Sequence, residues 1–265
     1  MISLTTNGKY YRKIYQKWSL ALKVMPILIL ITIVKFATHK LGLELMELNA
    51  LFTSVVAGTI FLIGFLISGV LSDYKESEKL PSELSASMKT LLDDTYTIYK
   101  SKNSSTALHF IEFQKSFIIS LTDWLYKKER TNSFLNKIGM MNDFFIEFEN
   151  EGIQANYIIK MKNEQNNIRK MILRIDTIRD TNFIGSAYAI VEFMGFLIAV
   201  GLIIMKIEPF YTSLFFTLLV AFLISYMVLL IRDLDNPFDY SVNGESGTEI
   251  PLKPIHDLKI AINDY

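Results

Sequence analysis

Two phenylalanines, Phe61 and Phe65, have a residue type and spacing that could control the movement of ions. They lie in an uncharged run of 24 residues, 49–72, which is long enough to cross a bilayer as a helix. Residues four apart lie on the same helical face, and Ala57 lies on that face one turn earlier. Bulky apolar side chains that narrow a pore can exclude water and stop conduction. This pattern predicts a hydrophobic gate.

The rest of the face that carries the two phenylalanines is small or hydroxylated, and consists of Ser54, Gly64, Ser68 and Ser72. Such residues suit a pore wall, because they can meet water. Small residues are equally enriched where two membrane helices pack closely. The pattern of this face alone therefore leaves two interpretations open, a pore lining and a helix-packing surface.

Glu192 is an ionisable residue within a later apolar stretch, which covers residues 183–205. A carboxylate inside a membrane span is costly, so it suggests a functional role by default. The alternative is an acid that lies near the membrane interface or is hydrogen-bonded inside the helix bundle. The sequence leaves both interpretations open.

Other kinds of site chemistry find little support in the sequence. The chain has no cysteine, which excludes disulfides and thiolate metal sites. Its histidines, His39, His109 and His256, show no metal-ligand spacing. Neither a glycine-rich phosphate loop nor a metal-binding helix motif nor a nucleophile elbow is present. We therefore predict no catalytic residue, no metal and no cofactor, and we do not expect an enzyme.

The elements that must position these residues are helices. The chain is 51% hydrophobic and 20% charged, which suggests membrane spans that alternate with a charged soluble region. We predict an all-α membrane protein with this order: a basic cytoplasmic segment 1–23, two transmembrane helices within 24–72, a cytoplasmic helical domain 73–182, two transmembrane helices within 183–231, and a cytoplasmic tail 232–265.

The first span has a short apolar centre, residues 24–34, with Lys23 and Lys35 at its two ends. We expect both lysines to extend toward the membrane interfaces, and Pro26 to lie in the first turns of the helix. The basic, aromatic residues before this span read as an interfacial segment on the cytoplasmic side. Nucleic-acid binding is the weaker alternative for them, because a membrane span follows directly.

The region 73–182 predicts four helices. Pro81 suits a helix start, Ser104 or Ser105 could cap the next helix, and Gly152 follows the third. Because Lys and Arg are concentrated in the first flank and the soluble region rather than in the short connections, we expect both termini on the cytoplasmic side of a cell membrane. The lipid membrane is thus an expected partner.

Two motifs resemble those of the bestrophin channels and of prokaryotic bestrophin-like membrane proteins. One is the Phe-x-x-Gly-Phe pattern at residues 61–65, and the other is Asn236-Pro237-Phe238, just after the fourth span. The resemblance implies a homopentamer that conducts monovalent ions passively through a central pore lined by the second span. It places Ala57, Phe61 and Phe65 in a narrow neck.

The sequence departs from animal bestrophins in two places. The positions after Phe238, which are Asp239, Tyr240, Ser241, Val242, Asn243, Gly244 and Glu245, hold few of the acids that help bind calcium there. In addition, Asp73 stands where animal members carry a basic residue. With Ser68, Ser72 and Glu76 it would form the inner mouth of the pore, where acids oppose anions although Lys75 and Lys79 offset them. The resemblance implies a chloride channel, but with these departures anion selectivity does not carry over safely, and the sequence leaves anion versus cation selectivity open.

A second class of function fits the same sequence, namely a non-conducting membrane scaffold or signalling protein whose helical domain binds a partner. Helical cytoplasmic domains serve both classes. Oligomeric state separates them, because a pentamer with an axial hole favours the channel. The sequence discloses neither the permeant ion nor the gating stimulus.

Overall fold

A computed structural model of the chain describes residues 6–180, 185–240 and 249–265. The described part is almost wholly helical. Its helices are α1 Thr6–Lys40, α2 Ala50–Ser77, α3 Leu80–Lys102, α4 Ser105–Leu125, α5 Thr131–Asn150, α6 Ala155–Asp180, α7 Gly185–Ile204, α8 Phe210–Asp235 and α9 Lys253–Ala261, which a 3-10 turn follows at Ile262–Asp264. Within the described ranges, four helices are long and apolar enough to cross a membrane. This confirms the predicted all-α membrane class.

The chain divides into two compact units. The first, here called the apolar unit, comprises Met1–Asp73 and Asn182–Asp235. The second, here called the helical block, comprises Tyr74–Thr181 and Asn236–Tyr265. The described residues after the last long helix, 236–240 and 249–265, thus group with the central helices.

In the apolar unit, α2, α7 and α8 share a core of aliphatic side chains. Its buried members are Ile63, Leu66, Val70, Val191, Ile198, Leu202, Ile224 and Ile231. Helix α1 packs against α7 and α8. Gly201 allows a close approach, since a Cβ there would lie 2.5 Å from Cε2 of Phe52. The buried members of α2 recur at helical spacing, so only one side of α2 contacts the rest of the unit.

Lys35 contradicts the expectation that it extends to the membrane interface. It is fully buried and forms an ion pair with Glu44, with 2.7 Å between Nζ and Oε1. Its ammonium also donates to the backbone oxygens of Ile203, at 3.1 Å, and Met205, at 2.6 Å. A buried charge is tolerated only when it is paired and hydrogen-bonded, and all of these partners come from outside α1.

The sequence predicts Pro26 in the first turns of its helix, but α1 begins at Thr6, so the proline lies well inside α1. The basic, aromatic segment before the span is helical where it is described.

A feature absent from the sequence prediction is a short parallel pairing of β1, Met46–Glu47, with β2, Met205–Lys206. Two-residue strands are too short to show the alternation that identifies a strand in a sequence. This pairing joins the connection after α1 to the end of α7.

In the helical block, α3–α6 pack around an aromatic core. Its fully buried large side chains include Phe110, Phe117, Trp124, Phe134, Phe145 and Phe148. The predicted cap is present, because Oγ of Ser104 accepts a hydrogen bond from the amide of Ala107 at 2.9 Å. Gly152 adopts a φ of +70°, which glycine tolerates without a steric penalty. Helix α9 packs against α3 and α4.

Candidate functional site: the exposed face of α2 and its flanking charges

Helix α2 starts at a side-chain cap. Oδ1 of Asn49 accepts a hydrogen bond from the amide of Phe52 at 2.8 Å, which satisfies one of the free N–H groups of the first turn. The hydroxyl of Ser54 donates to the carbonyl of Ala50 at 2.8 Å. A hydroxyl that bonds to its own helix in this way needs no other partner, so it can lie in an apolar setting.

The predicted gate residues lie on a face of α2 that the described part of the chain does not cover. Phe61 is 77% exposed and Phe65 is 70% exposed. Ala57, Ser68 and Ser72 on the same face are exposed as well. The apolar residues that α2 does bury lie on its other side. The two phenylalanine rings therefore do not pack against the first or fourth span of their own chain.

Glycines contribute to the openness of this face. At Gly58 and Gly64 an added Cβ would meet no atom within 4 Å. Neither glycine is needed, within one chain, for the close approach of another helix. A smooth surface of this kind can either approach a neighbouring molecule or border a water-filled space.

The two acids predicted for the inner mouth, Asp73 and Glu76, have different surroundings. Asp73, the last residue of the first segment of the apolar unit, is exposed. Glu76, in the helical block, accepts two hydrogen bonds from Arg174, at 3.2 Å from Nε and 3.0 Å from Nη2. This forked pairing balances the charge of Glu76 locally. Sequence reasoning missed Arg174, which lies 98 positions away and carries no local signal.

Glu192 is an ion-paired residue. Nη2 of Arg232 donates to its Oε1, and the side chains of Glu192 and Arg232 are 41% and 56% exposed. Arg232 lies in the last turn of α8. The ion pair gives Glu192 a hydrogen-bonding partner, and a functional role for this residue stays a prediction. The partner was missed because Arg232 was assigned to the polar tail.

The Asn236-Pro237-Phe238 motif lies in the helical block, where it holds the C-terminal segment. Phe238 is fully buried. The carbonyl of Pro237 accepts a hydrogen bond from the amide of Ile250 at 3.0 Å, and the hydroxyl of Tyr240 donates to the carbonyl of Ile250 at 2.7 Å. These contacts give the described motif residues a packing role.

The described residues next to this motif do not by themselves supply the ligands of a calcium site. Asp239 is ion-paired with the ammonium of Lys127, so a cation already accompanies its carboxylate. The guanidinium of Arg179 also interacts with Asp239. Burial lowers the pKa of Arg179, whereas the negative charges of Asp176, Asp180 and Asp239 raise it. No group of three or more His, Cys, Asp or Glu residues suited to a metal occurs within the described ranges. Calcium prefers six to eight oxygen ligands. Positions 241–245 lie outside the described residues.

Comparison with known proteins identifies the architecture. No family model and no curated protein matches the sequence. Crystal structures of variants of a bacterial Bestrophin homolog from Klebsiella pneumoniae do match: one at 14% identity has a TM-score of 0.76 over 92% of this chain and 98% of that chain. Another, at 15% identity, has a TM-score of 0.75 over 91% of this chain and 98% of that chain. The chain therefore has the fold of bacterial bestrophin homologues, as the two motifs predicted.

Proposed function

We propose that this chain, which has the bestrophin fold, is a bestrophin-like ion channel of the cell membrane. In this proposal it forms a homopentamer, and α2 of each subunit lines a central pore through which monovalent ions pass passively. Ala57, Phe61 and Phe65 form the neck. The helical block and both termini face the cytoplasm. The fold over more than nine-tenths of the chain supports this assignment, with 92% covered in one comparison.

The observation that carries the proposal is the exposure of Phe61 and Phe65 on a face that otherwise holds small and hydroxylated residues. Their own chain leaves them open, while the opposite side of α2 is buried in the apolar unit. A head-to-tail arrangement of identical subunits forms a closed ring when the rotation between neighbours closes. Such a ring can turn the same face of each α2 toward a common axis, where the phenylalanines exclude water.

Current and assembly measured on one preparation test the proposal. The double variant Phe61→Ala/Phe65→Ala should raise basal current in planar bilayers while its mass in detergent remains that of a pentamer. The matched control is Phe215→Ala/Phe216→Ala, which truncates two exposed rings on α8, at 60% and 47% exposure. That control should leave the current unchanged.

Three results would count against the proposal. A silent, disassembled double variant would show that the rings pack between subunits. Wild-type protein that is a stable monomer or dimer would refute the pore itself. A pentamer without any current would favour the non-conducting scaffold instead.

A further inference from the structure

The apolar unit contains a groove that the channel proposal does not use. Helices α1, α7 and α8 enclose a cavity of about 420 Å³. Its walls are aliphatic over most of their area, with side chains that include Ile31, Val34, Val191, Ile198, Ile224 and Val228. The ionisable residues among those that line it are Glu192 and Arg232. The groove is therefore apolar with a single charged end.

The floor of the groove is formed by a close helix contact. A Cβ added to Gly195 of α7 would lie 2.9 Å from Cγ2 of Ile224 on α8, so these helices approach closely at that point. Ala199, one turn further along α7, also lines the groove with a small side chain. The rim carries exposed apolar residues, Leu30 at 62% and Phe196 at 65%. The groove thus opens on a surface that suits hydrocarbon rather than water.

The charged end has the position and chemistry of a headgroup site. Arg232 is in the last turn of α8, where a membrane span gives way to polar residues and the lipid headgroup region begins. One of its nitrogens donates to Glu192, and the other N–H groups of the guanidinium can take a phosphate in a forked geometry. Both side chains are half-exposed. A guanidinium and a carboxylate side by side match a ligand that carries a phosphate and an amine.

We infer that this groove binds one zwitterionic glycerophospholipid of the phosphatidylethanolamine type. One acyl chain lies along the aliphatic walls between α1, α7 and α8. The phosphate contacts Arg232, and the ammonium of the headgroup contacts Glu192. The positive charge of Arg232 and the negative charge of Glu192 are complementary to the phosphate and the ammonium of the headgroup. An anionic headgroup has no ammonium, so it would be repelled by the carboxylate of Glu192 at close range. The inference does not depend on ion conduction.

Native mass spectrometry of the detergent-solubilised protein tests it. Phosphatidylethanolamine and phosphatidylglycerol with identical acyl chains are titrated separately. We expect one phosphatidylethanolamine per subunit to bind preferentially. Arg232→Gln should weaken this binding roughly tenfold, the size expected for loss of a charge-assisted hydrogen bond. Arg232→Lys, which retains the charge, should weaken it less.

A second variant tests the apolar part without altering charge. Ala199→Phe adds a ring within the groove and should displace the acyl chain, so that phosphatidylethanolamine binding falls although Glu192 and Arg232 are intact. The matched controls are Lys23→Gln and Phe193→Ala, which change an exposed charge and an exposed ring that do not line the groove. Both controls should bind lipid as the wild type does.

Several outcomes would overturn the inference. Equal binding by wild type, Arg232→Gln and Ala199→Phe would show that the lipid lies elsewhere. Stronger binding of phosphatidylglycerol than of phosphatidylethanolamine would assign an anionic lipid. Dissociation of the oligomer by Ala199→Phe, with no lipid bound to the wild type, would show that a second copy of the chain covers the groove.

Discussion

Lys35 and Glu44 form an ion pair in which the lysine is fully buried, with 2.7 Å between Nζ and Oε1. The pair ties α1 to the connection that follows it, and the bonds of Lys35 to Ile203 and Met205 tie α1 to the end of α7. The adjacent parallel pairing of β1 with β2 joins the same two parts of the chain. This end of the apolar unit is therefore held together by polar contacts, unlike its aliphatic core.

Replacing Lys35 with Met should destabilise the apolar unit strongly, because the carboxylate of Glu44 loses its buried partner. Breaking a buried pair by removal of one member costs about 3–5 kcal/mol in soluble proteins. Thermal unfolding in detergent measures the change. Lys23→Met, an exposed lysine on the same helix, is the control and should change stability little. Equal stability of both variants would show that the buried pair contributes nothing.

Acid should weaken the same contact. Burial raises the pKa of Glu44, but hydrogen bonds and charge from Lys35 and His39 lower it more, so the net pKa lies below the ordinary value of 4.5. Since the folded-state pKa is depressed, the stabilisation is present above the unfolded-state value and is lost as pH falls through the folded-state value. Unfolding temperatures of wild type and Glu44→Gln should therefore converge as the pH falls through the depressed pKa of Glu44, which lies below its ordinary value of 4.5.

The control for this acid effect is Glu47→Gln, which changes an exposed carboxylate in the same connection. Its unfolding temperature should follow that of the wild type across the whole pH range. A gap between wild type and Glu44→Gln that is unchanged at low pH would contradict the assignment.

Asp73→Lys should shift the reversal potential toward anion preference. The reason is that an exposed carboxylate at the end of the apolar unit raises the local concentration of cations, and the substitution reverses its sign. Reversal potentials in planar bilayers under asymmetric salt measure the shift. Glu208→Lys, on the connection between α7 and α8, reverses an exposed charge elsewhere in the unit and should have less effect. An unchanged potential in Asp73→Lys would show that this residue does not face the ion pathway.

Removal of calcium should leave the current largely intact. Lys127 provides a cation for Asp239, and the acids that help bind calcium in animal bestrophins are few in this segment. Current recorded before and after addition of a chelator is the measurement, with a channel known to require calcium as a positive control. Current that is abolished by the chelator and restored by calcium would contradict the prediction.

The sequence by itself determined the helical class and the shared helical face of Phe61 and Phe65 on α2, whereas the packed chain decided that this face is exposed. A single membrane span satisfies its backbone hydrogen bonds within its own segment only as a helix, and the spacing of Phe61 and Phe65 then places both rings on one side. The cap at Ser104 was likewise predicted, because it depends only on residues within one turn. These properties are local, so neighbouring residues specify them.

Tertiary structure decided which charges are paired. Three sets of polar contacts join different elements: Lys35 with Glu44 and the carbonyls of Ile203 and Met205, Glu192 with Arg232, and Glu76 with Arg174. The partners of Glu76 and Glu192 lie 98 and 40 positions away. Side chains that are distant in sequence meet only after the helices pack, and helical periodicity carries no information about the partner. For this reason Lys35 was expected at the membrane surface, whereas the packed chain buries its charge among acceptors that no local pattern reveals.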